Sequence, residues 1–315
     1  MNPSFSIIIP HYNIPDLLMR CLKSIPVSED IQVIVVDDNS PDVDTYLEKY
    51  PELSRPYLEF IRTTKGGGAG YARNVGLENA KGKWLLFADA DDFFADKMYD
   101  IILSHVDSDA DMIFYRKKDV SYSDISHEIV QQIYLDEIMD TFIQTGDEKP
   151  IRTQFYVVYC KMIKRALVVE HNIRFDEVKY SNDCFFSVCV GYFAKRIEAV
   201  NDVLYCKTYY RPGALTTDFC SKPNELKMRT DVSFRIDKYL LQHNMCGERQ
   251  SAYYLKLMLC KDRHLFNSYY KRLNEIYPSK IAALQDISKN SSIRFKVKLY
   301  LYSLLLWIKD NKCYQ

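Results

Sequence analysis

SIIIPHYN, residues 6–13, is an apolar run halted by Pro10 and followed by His11, Tyr12 and Asn13. Pro10 has no N–H to give a ladder, so a strand that reaches it is near its end. Beyond it come aromatic and polar side chains, the composition of a binding-site rim rather than of a core. The pattern recurs downstream. A strand at Ile31–Asp38 ends in Asp37 and Asp38, one at Leu58–Thr63 leads into the segment Lys65–Asn74, and one at Lys83–Asp89 leads into Asp89–Asp92. A fifth strand is expected at Asp111–Tyr115. Ile14, Leu17, Leu18, Cys21, Leu22 and Ile25 fall at helical spacing after the first strand, as do Val43, Tyr46, Leu47 and Tyr50 after the second. Strands alternating with amphipathic helices define the α/β class, here a mostly parallel sheet flanked by helices. Ligands of such sheets bind beyond the carboxyl ends of the strands, so the four polar stretches are expected to converge on one crevice.

The chain has 315 residues, enough for roughly two domains. Three regions are expected: residues 1–116 as a ligand-binding half, 117–223 as a mixed half, and 224–315 as a helical extension. The mixed half has helical patterns near Ile129–Ile143 and Lys164–His171, and a strand near Val203–Tyr210. With 42 basic and 42 acidic residues there is no global field to recruit nucleic acid, and nucleic acid is not an expected partner. The N-terminus carries no basic region leading into an apolar stretch, so a cytoplasmic location is expected. Nine cysteines, at 21, 160, 184, 189, 206, 220, 246, 260 and 313, form no C-x-x-C, which argues for buried reduced thiols rather than disulfides or a zinc site.

In LLFADADDFF, residues 85–94, Asp89 and Asp91 project to one side if the extended geometry persists. Two carboxylates so placed raise each other's pKa unless something positive sits between them. A hard divalent cation removes the conflict, and oxygen ligands suit Mn2+ or Mg2+. Magnesium-type sites take one or two protein carboxylates and fill the rest of the shell with water and phosphate oxygens, so the pair predicts a phosphate-bearing ligand. The alternative is that these acids are solvated, or that Asp92 or Asp96 caps the helix running through Met98, Ile101 and Ile102. KGGGAGYARNVGL, residues 65–77, fits neither the dinucleotide nor the P-loop fingerprint. It is either a glycine turn or a helix start whose free N–H groups, with Arg73, meet an anion or a sugar hydroxyl. Tyr12 offers a ring for a planar base and Asp38 an acceptor for a base N–H, unless Tyr12 only packs on the rim.

SIIIPHYN, VIVVDDNSPD, GGGAGYARNVGL and KWLLFADADDFF, in this order and at these separations, resemble the nucleotide-sugar domain of family 2 glycosyltransferases with the GT-A fold. The resemblance covers residues 4–115, extends more weakly to 217, and leaves out the last hundred residues. It implies a nucleoside-diphosphate sugar donor, with a UDP-sugar the expected form. Pro10, Tyr12 and Asp38 would surround the base, with Gly68, Arg73 and Ala90 near the donor. Asp89 and Asp91 would be the D-x-D that holds Mn2+ or Mg2+ on the diphosphate, Asp91 being the direct ligand. YSNDCFFS, residues 180–187, is similar to the family's E-D-x-x-F segment and implies Asp183 as general base. Its helix-capping alternative is compatible, because a helix N-terminus favours an ionised carboxylate. YYRPGALTT, residues 209–217, resembles the family's later Tyr/Arg-rich strand and turn, with Arg211 approaching the diphosphate or the acceptor. Asn182 stands where the family usually has Glu, and Lys65 where many relatives have Asn.

The implied activity is metal-dependent transfer of the sugar, with inversion, to a hydroxyl of a glycan or lipid-linked glycan in polysaccharide biosynthesis. Two alternatives remain: a nucleotide-sugar-binding module without catalysis, and a sugar nucleotidyltransferase, although those carry a glycine-rich basic loop where this chain has P-H-Y-N. SSIRFKVKLYLYSLLLWIKDNK, residues 291–312, holds five basic residues and one acid around a ten-residue apolar run from Leu299 to Ile308. That is well short of the ~20 residues a membrane span needs. Residues 293–312 are expected to lie in the interface of the inner membrane face, or to dock on the protein body or on a second copy in a homodimer.

Overall fold

Phe5, Ile7, Ile8 and Ile9 have no exposed surface, as a strand covered by helices on both faces requires. Phe5–His11 forms β1 of a computed structural model that describes residues 3–214, 220, 222–245, 247 and 249–312, without the side chains of 294 and 307–312. The remaining strands are β2 (Ile31–Asp37), β3 (Leu58–Arg62), β4 (Trp84–Phe87), β5 (Phe93–Phe94), β6 (Met112–Ser121), β7 (Glu128–Ile129), β8 (Lys161–Lys164) and β9 (Ile197–Tyr209). They make one sheet in the order β3-β2-β1-β4-β8-β6-β9-β5, with β7 on β6. β1 is parallel to β2 and β4, and β2 to β3. β8 lies antiparallel between β4 and β6, which restores the direction of β6, and β9 runs parallel to β6. Six of the nine described strands therefore point the same way, as expected.

The strand order reverses between β1 and β4, so the crevice predicted for an open sheet opens there. Pro10, paired with Val36, is one residue from the end of β1; Asp37 ends β2; β4 stops at Phe87. Lys83–Asp89 is thus shorter as a strand than expected, and Asp111–Tyr115 belongs to a longer one. Beyond Phe114 the β6 ladder is carried by β9 on one side and β7 on the other, which extends it through alternating residues that periodicity alone treats as loop. The boundary expected at 116/117 falls inside β6, so both halves share one sheet.

Two compact units are present, Met1–Thr217 and Asp218–Gln315. The second is built from helices Pro223–Gln242, Gln250–Lys261, Arg263–Tyr270, Lys280–Ile287 and Ile293–Lys312 around Leu226, Phe234, Leu255, Met258, Phe266 and Tyr269. Buried Asp237 accepts the N–H groups of Gln250 and Ser251 and so caps a helix from outside it. In the last helix Leu299 is buried, and Phe295, Tyr302 and Leu306 pack against the same core. Docking on the protein body, one of the expected alternatives, accounts for that face. Ile293, Val297, Tyr300, Leu301, Leu304 and Leu305 form a second apolar face that is exposed. No helix of the described residues is long and apolar enough to cross a membrane. Seven described cysteines form no disulfide, six buried and Cys260 exposed; Cys246 and Cys313 lie outside the described residues.

Candidate active site

At the end of β1 the chain turns through Asn13, at φ +52°, whose N–H donates to Ser40 Oγ at 2.8 Å. His11 is buried against Asp37, Nδ1 to Oδ2 at 2.8 Å, and its Nε2 accepts the N–H of Ile14 at 3.2 Å. Nε2 must therefore be bare and Nδ1 protonated, so the ring donates to the carboxylate. Burial pushes the Asp37 carboxyl up, but the bonds from His11 and Ser40 outweigh it and hold its pKa low. This pair ties β1 to β2 below the rim and leaves Tyr12 above it, 58% exposed and open to a stacking partner.

Asp38 faces the glycine segment. Its Oδ1 accepts the N–H of Gly67 at 2.8 Å and its Oδ2 that of Gly68 at 2.7 Å. Two of the N–H groups expected to be free for an anion at the start of helix Gly68–Asn79, those of Gly67 and Gly68, are thus taken by Asp38. Both Asp38 oxygens hold the glycine turn, and a base N–H would have to share them. Gly68, at φ +82°, needs glycine's backbone freedom. Gly70 needs its missing side chain, because a Cβ there would lie 1.9 Å from the Asp176 carbonyl oxygen.

The same helix carries Arg73 into the site. It is buried, and its guanidinium donates to Asp89 Oδ1 at 2.6 Å and to Asn182 Oδ1 at 2.7 Å, while its Nε finds no partner. Arg73 thereby joins the acids after β4 to the residue preceding Asp183.

Asp89–Asp92 does not continue the extended geometry of β4. It forms a turn closed by the Asp92 N–H on the Asp89 carbonyl at 3.0 Å. The turn gathers one carboxylate oxygen each from Asp89, Asp91 and Asp92 within 4.8 Å of one another. Asp92 does not cap the helix Met98–Ser104, and neither does Asp96, since that helix has no side-chain cap. Asp92 is fully buried and accepts from Tyr205 Oη at 2.8 Å, Lys207 Nζ at 2.9 Å and the Thr208 N–H at 2.8 Å. Arg211 Nε reaches Asp91 Oδ2 at 2.7 Å, and Arg20 donates to the Asp91 carbonyl oxygen. Ala90 is buried at 3% exposure and offers a ligand almost no surface. Burial acts to raise the Asp89 carboxyl but Lys207 and Arg73 overcome it, so its pKa is lowered. Burial pushes Asp92 up to about 7, against the pull of Lys207 and with the help of Asp91 and Asp89.

Three convergent carboxylates are an all-oxygen donor set of the kind that suits a hard divalent cation. Asp91, 17% exposed at its side chain, is engaged by Arg211 from beyond β9, whereas Asp89, the most exposed of the three at 28%, and fully buried Asp92 share Lys207. The residues fit such an ion provided that Arg211 exchanges its carboxylate for another anion.

Asp183 stands at the N-cap position of helix Cys184–Phe193 without making a side-chain cap bond, so its carboxylate is not spent on the helix. Burial raises its pKa, opposed by Arg73 and reinforced by Asp89. Lys161, at the start of β8, is fully buried, donates to the Phe155 carbonyl at 2.6 Å, and is pulled down to about 7 by burial.

Lys207, Tyr205 and Arg20 were not legible as site residues from the motifs. The signal for the first two was present in LYCKTYY, residues 204–210, where Tyr205 and Lys207 alternate onto one strand face. Of the YYRPGALTT stretch, residues 215–217 lie outside the described residues.

A single sheet whose order reverses beside an acid turn, with an exposed ring on the neighbouring strand end, defines an α/β protein with a ligand crevice at its switch point. The Glycosyl transferase family 2 profile matches residues 6–171, just over half of the sequence, and the chain belongs to that family. GlyG, a glycosyltransferase of Streptococcus pneumoniae serotype 4, is 25% identical over 95% of this chain and 97% of its own. EpsH of Bacillus subtilis is 24% identical over 64% of this chain, which spans only 60% of that protein. Among solved structures, S. aureus TarS 1–349 in complex with UDP-GlcNAc superposes with a TM-score of 0.60 at 22% identity, covering 92% of this chain and 82% of that one. Mannosyltransferase PcManGT from Pyrobaculum calidifontis, in complex with GDP-Man and Mn2+, gives 0.50 at 17% identity over 100% of this chain and 83% of that one. At these identities the structures establish the GT-A fold and nothing finer. Family membership sets the nucleotidyltransferase alternative aside.

Proposed function

We propose that this glycosyltransferase moves a sugar from a UDP-sugar to a hydroxyl of a glycan or lipid-linked glycan, with inversion at the anomeric carbon. The observation that carries the reading is the gathering of Asp89, Asp91 and Asp92 at the switch point between β1 and β4. UDP is favoured because TarS was crystallised with UDP-GlcNAc and matches nearly the whole chain in fold. Tyr12 stacks on the base, Pro10 shapes the floor beneath it, and Asp38 fixes the glycine turn, including Gly68, at its edge. Asp91, with Asp89, would hold Mn2+ or Mg2+. When bound, such an ion supplies Lewis-acid neutralisation of charge on the leaving diphosphate.

The chain's own residues do the rest. Arg211 leaves Asp91 for a phosphate oxygen, exchanging one anion for another. Arg73 holds Asp89 in place and, through Asn182, positions the segment bearing Asp183. Asp183 accepts the proton of the acceptor hydroxyl as it attacks, and its raised pKa makes it a stronger base than an ordinary aspartate. One base without a second nucleophile gives inversion. Incubating the purified chain with Mn2+ and a panel of UDP-sugars is expected to release UDP, slowly by hydrolysis and faster with acceptor. Absence of release across UDP-, GDP- and dTDP-sugars would instead leave the non-catalytic binding module.

A lipid-linked acceptor is supported by the last helix. Its exposed apolar face, Ile293 to Leu305, runs beside exposed Lys296 and Lys298, the amphipathic and basic character that binds an anionic bilayer surface from the cytoplasmic side. The full chain is expected to float with phosphatidylglycerol vesicles in low salt, and a chain ending at residue 290 is expected to float several-fold less. If flotation does not change and light scattering shows a dimer that the shorter chain loses, the face belongs to a second copy instead.

A further inference from the structure

The acid turn carries its own counter-ions, and they are not equivalent. Lys207 Nζ lies 2.9 Å from Asp92 Oδ2 and 3.5 Å from Asp89 Oδ2, bridging two acids from within β9. The strand on which it sits is fastened to the turn. Tyr205 Oη accepts the Asp89 N–H at 2.9 Å and donates to Asp92 at 2.8 Å, and the Thr208 N–H donates to Asp92 Oδ1 at 2.8 Å. Arg211 reaches Asp91 from beyond the end of β9, without a ladder of its own. Three acids, Asp89, Asp91 and Asp92, thus face three cations, Arg73, Lys207 and Arg211, whose formal charges cancel, as do those of Asp183 and Arg20 beside them.

Resting on the metal reading given above, we propose that Lys207 is a fixed counter-cation that makes uptake of the divalent ion conditional on the diphosphate. A bare doubly charged ion approaching a balanced cluster gains little from the acids and is repelled by the nearby ammonium. An ion carried by a nucleoside diphosphate brings its own negative charge and escapes that repulsion. The phosphates also give Arg211 an anion to move to, which frees the Asp91 oxygen. Lys207 stays, because it is held to two acids on a strand whose neighbours bond the same turn. It is a positioning residue, acting through Asp89 and Asp92 rather than on substrate.

The test is Mn2+ binding read by electron paramagnetic resonance and calorimetry on the full chain, with Mn2+ alone and with UDP or GDP in turn. The wild type is expected to bind Mn2+ at least tenfold more tightly with nucleotide than without. Lys207→Met is expected to raise the affinity for Mn2+ alone about tenfold or more by unbalancing the cluster. Lys207→Arg keeps the positive charge and is expected to bind Mn2+ alone as weakly as the wild type, which a loss of packing at this position would not predict. Should Lys207→Met fail to fold, Lys207→Gln is read in its place. No Mn2+ uptake under any condition would overturn the metal reading itself. Equal wild-type affinity with and without nucleotide, or a Lys207→Met or Lys207→Gln variant that binds Mn2+ alone no more tightly than the wild type, would overturn the role of Lys207 while leaving the metal reading in place.

Discussion

Asp91→Ala is expected to abolish the effect of Mn2+ on nucleotide binding and to lower transfer by about three orders of magnitude, the size of a lost Lewis-acid contribution of several kcal/mol. Asp91 is the acid held by a cation from beyond the sheet, Arg211 at 2.7 Å, whereas Arg73 and Lys207 from within the fold hold the other two. Asp89 and Asp92 cannot replace it easily, because Arg73 and Lys207 already occupy the oxygens that would have to serve. The substitution also removes the carboxylate partner of the Arg211 guanidinium, which then meets the diphosphate without first leaving it. Weak, metal-independent affinity for UDP is therefore expected to survive. Calorimetry of the variant with and without Mn2+ checks this: the two titrations should coincide, whereas those of the wild type should not. A variant that keeps the manganese effect would move the ligand role to Asp89 or Asp92.

How much of this could be read from the chain depends on whether the signal was local. Strand β1 was legible because an unbroken apolar run leads into Pro10, and the structure buries Phe5 and Ile7 to Ile9 on both faces. Strand β8 was not, since Lys161–Lys164 is four residues long, begins and ends with lysine, and owes its existence to the edges of β4 and β6. The acid stretch was legible as chemistry but not as geometry. Its carboxylates converge through a turn held by Tyr205, Lys207 and Thr208, more than a hundred residues away in sequence, and no pattern within LLFADADDFF reports those partners. Asp38 shows the same limit. Its identity suggested an acceptor, but only the fold reveals that its first clients are the N–H groups of Gly67 and Gly68. Paired acids need something positive between them. The chain itself supplies Arg73, Lys207 and Arg211.

Asp183→Asn is the second large effect, with transfer expected to fall by about two orders of magnitude or more while UDP binding in the presence of Mn2+ is kept. The change is isosteric and removes only the capacity to take a proton. The donor acids lie on a different segment, and Arg73 would still bond Asn182 and Asp89. Because burial raises the carboxyl's pKa, the fold favours the neutral form. The sign follows: any stability Asp183 contributes is present below its unfolded pKa and is lost as pH rises through the folded value. Above its raised pKa the ionised carboxylate is a net cost, so Asp183→Asn is expected to melt no lower than the wild type and to lose less stability as pH rises from the ordinary aspartate range through that raised pKa. Activity has the opposite pH sense. The base form grows as pH rises through the raised pKa, so wild-type transfer should fall on the acid side at a pH above the ordinary aspartate range, and Asp183→Glu should shift that limb. A pH–rate profile of the wild type and Asp183→Glu, set beside thermal melts of Asp183→Asn, separates a base from a helix cap. A cap would lower the melting temperature and leave the limb where it was, and near-normal turnover by the asparagine variant would remove Asp183 from the reaction.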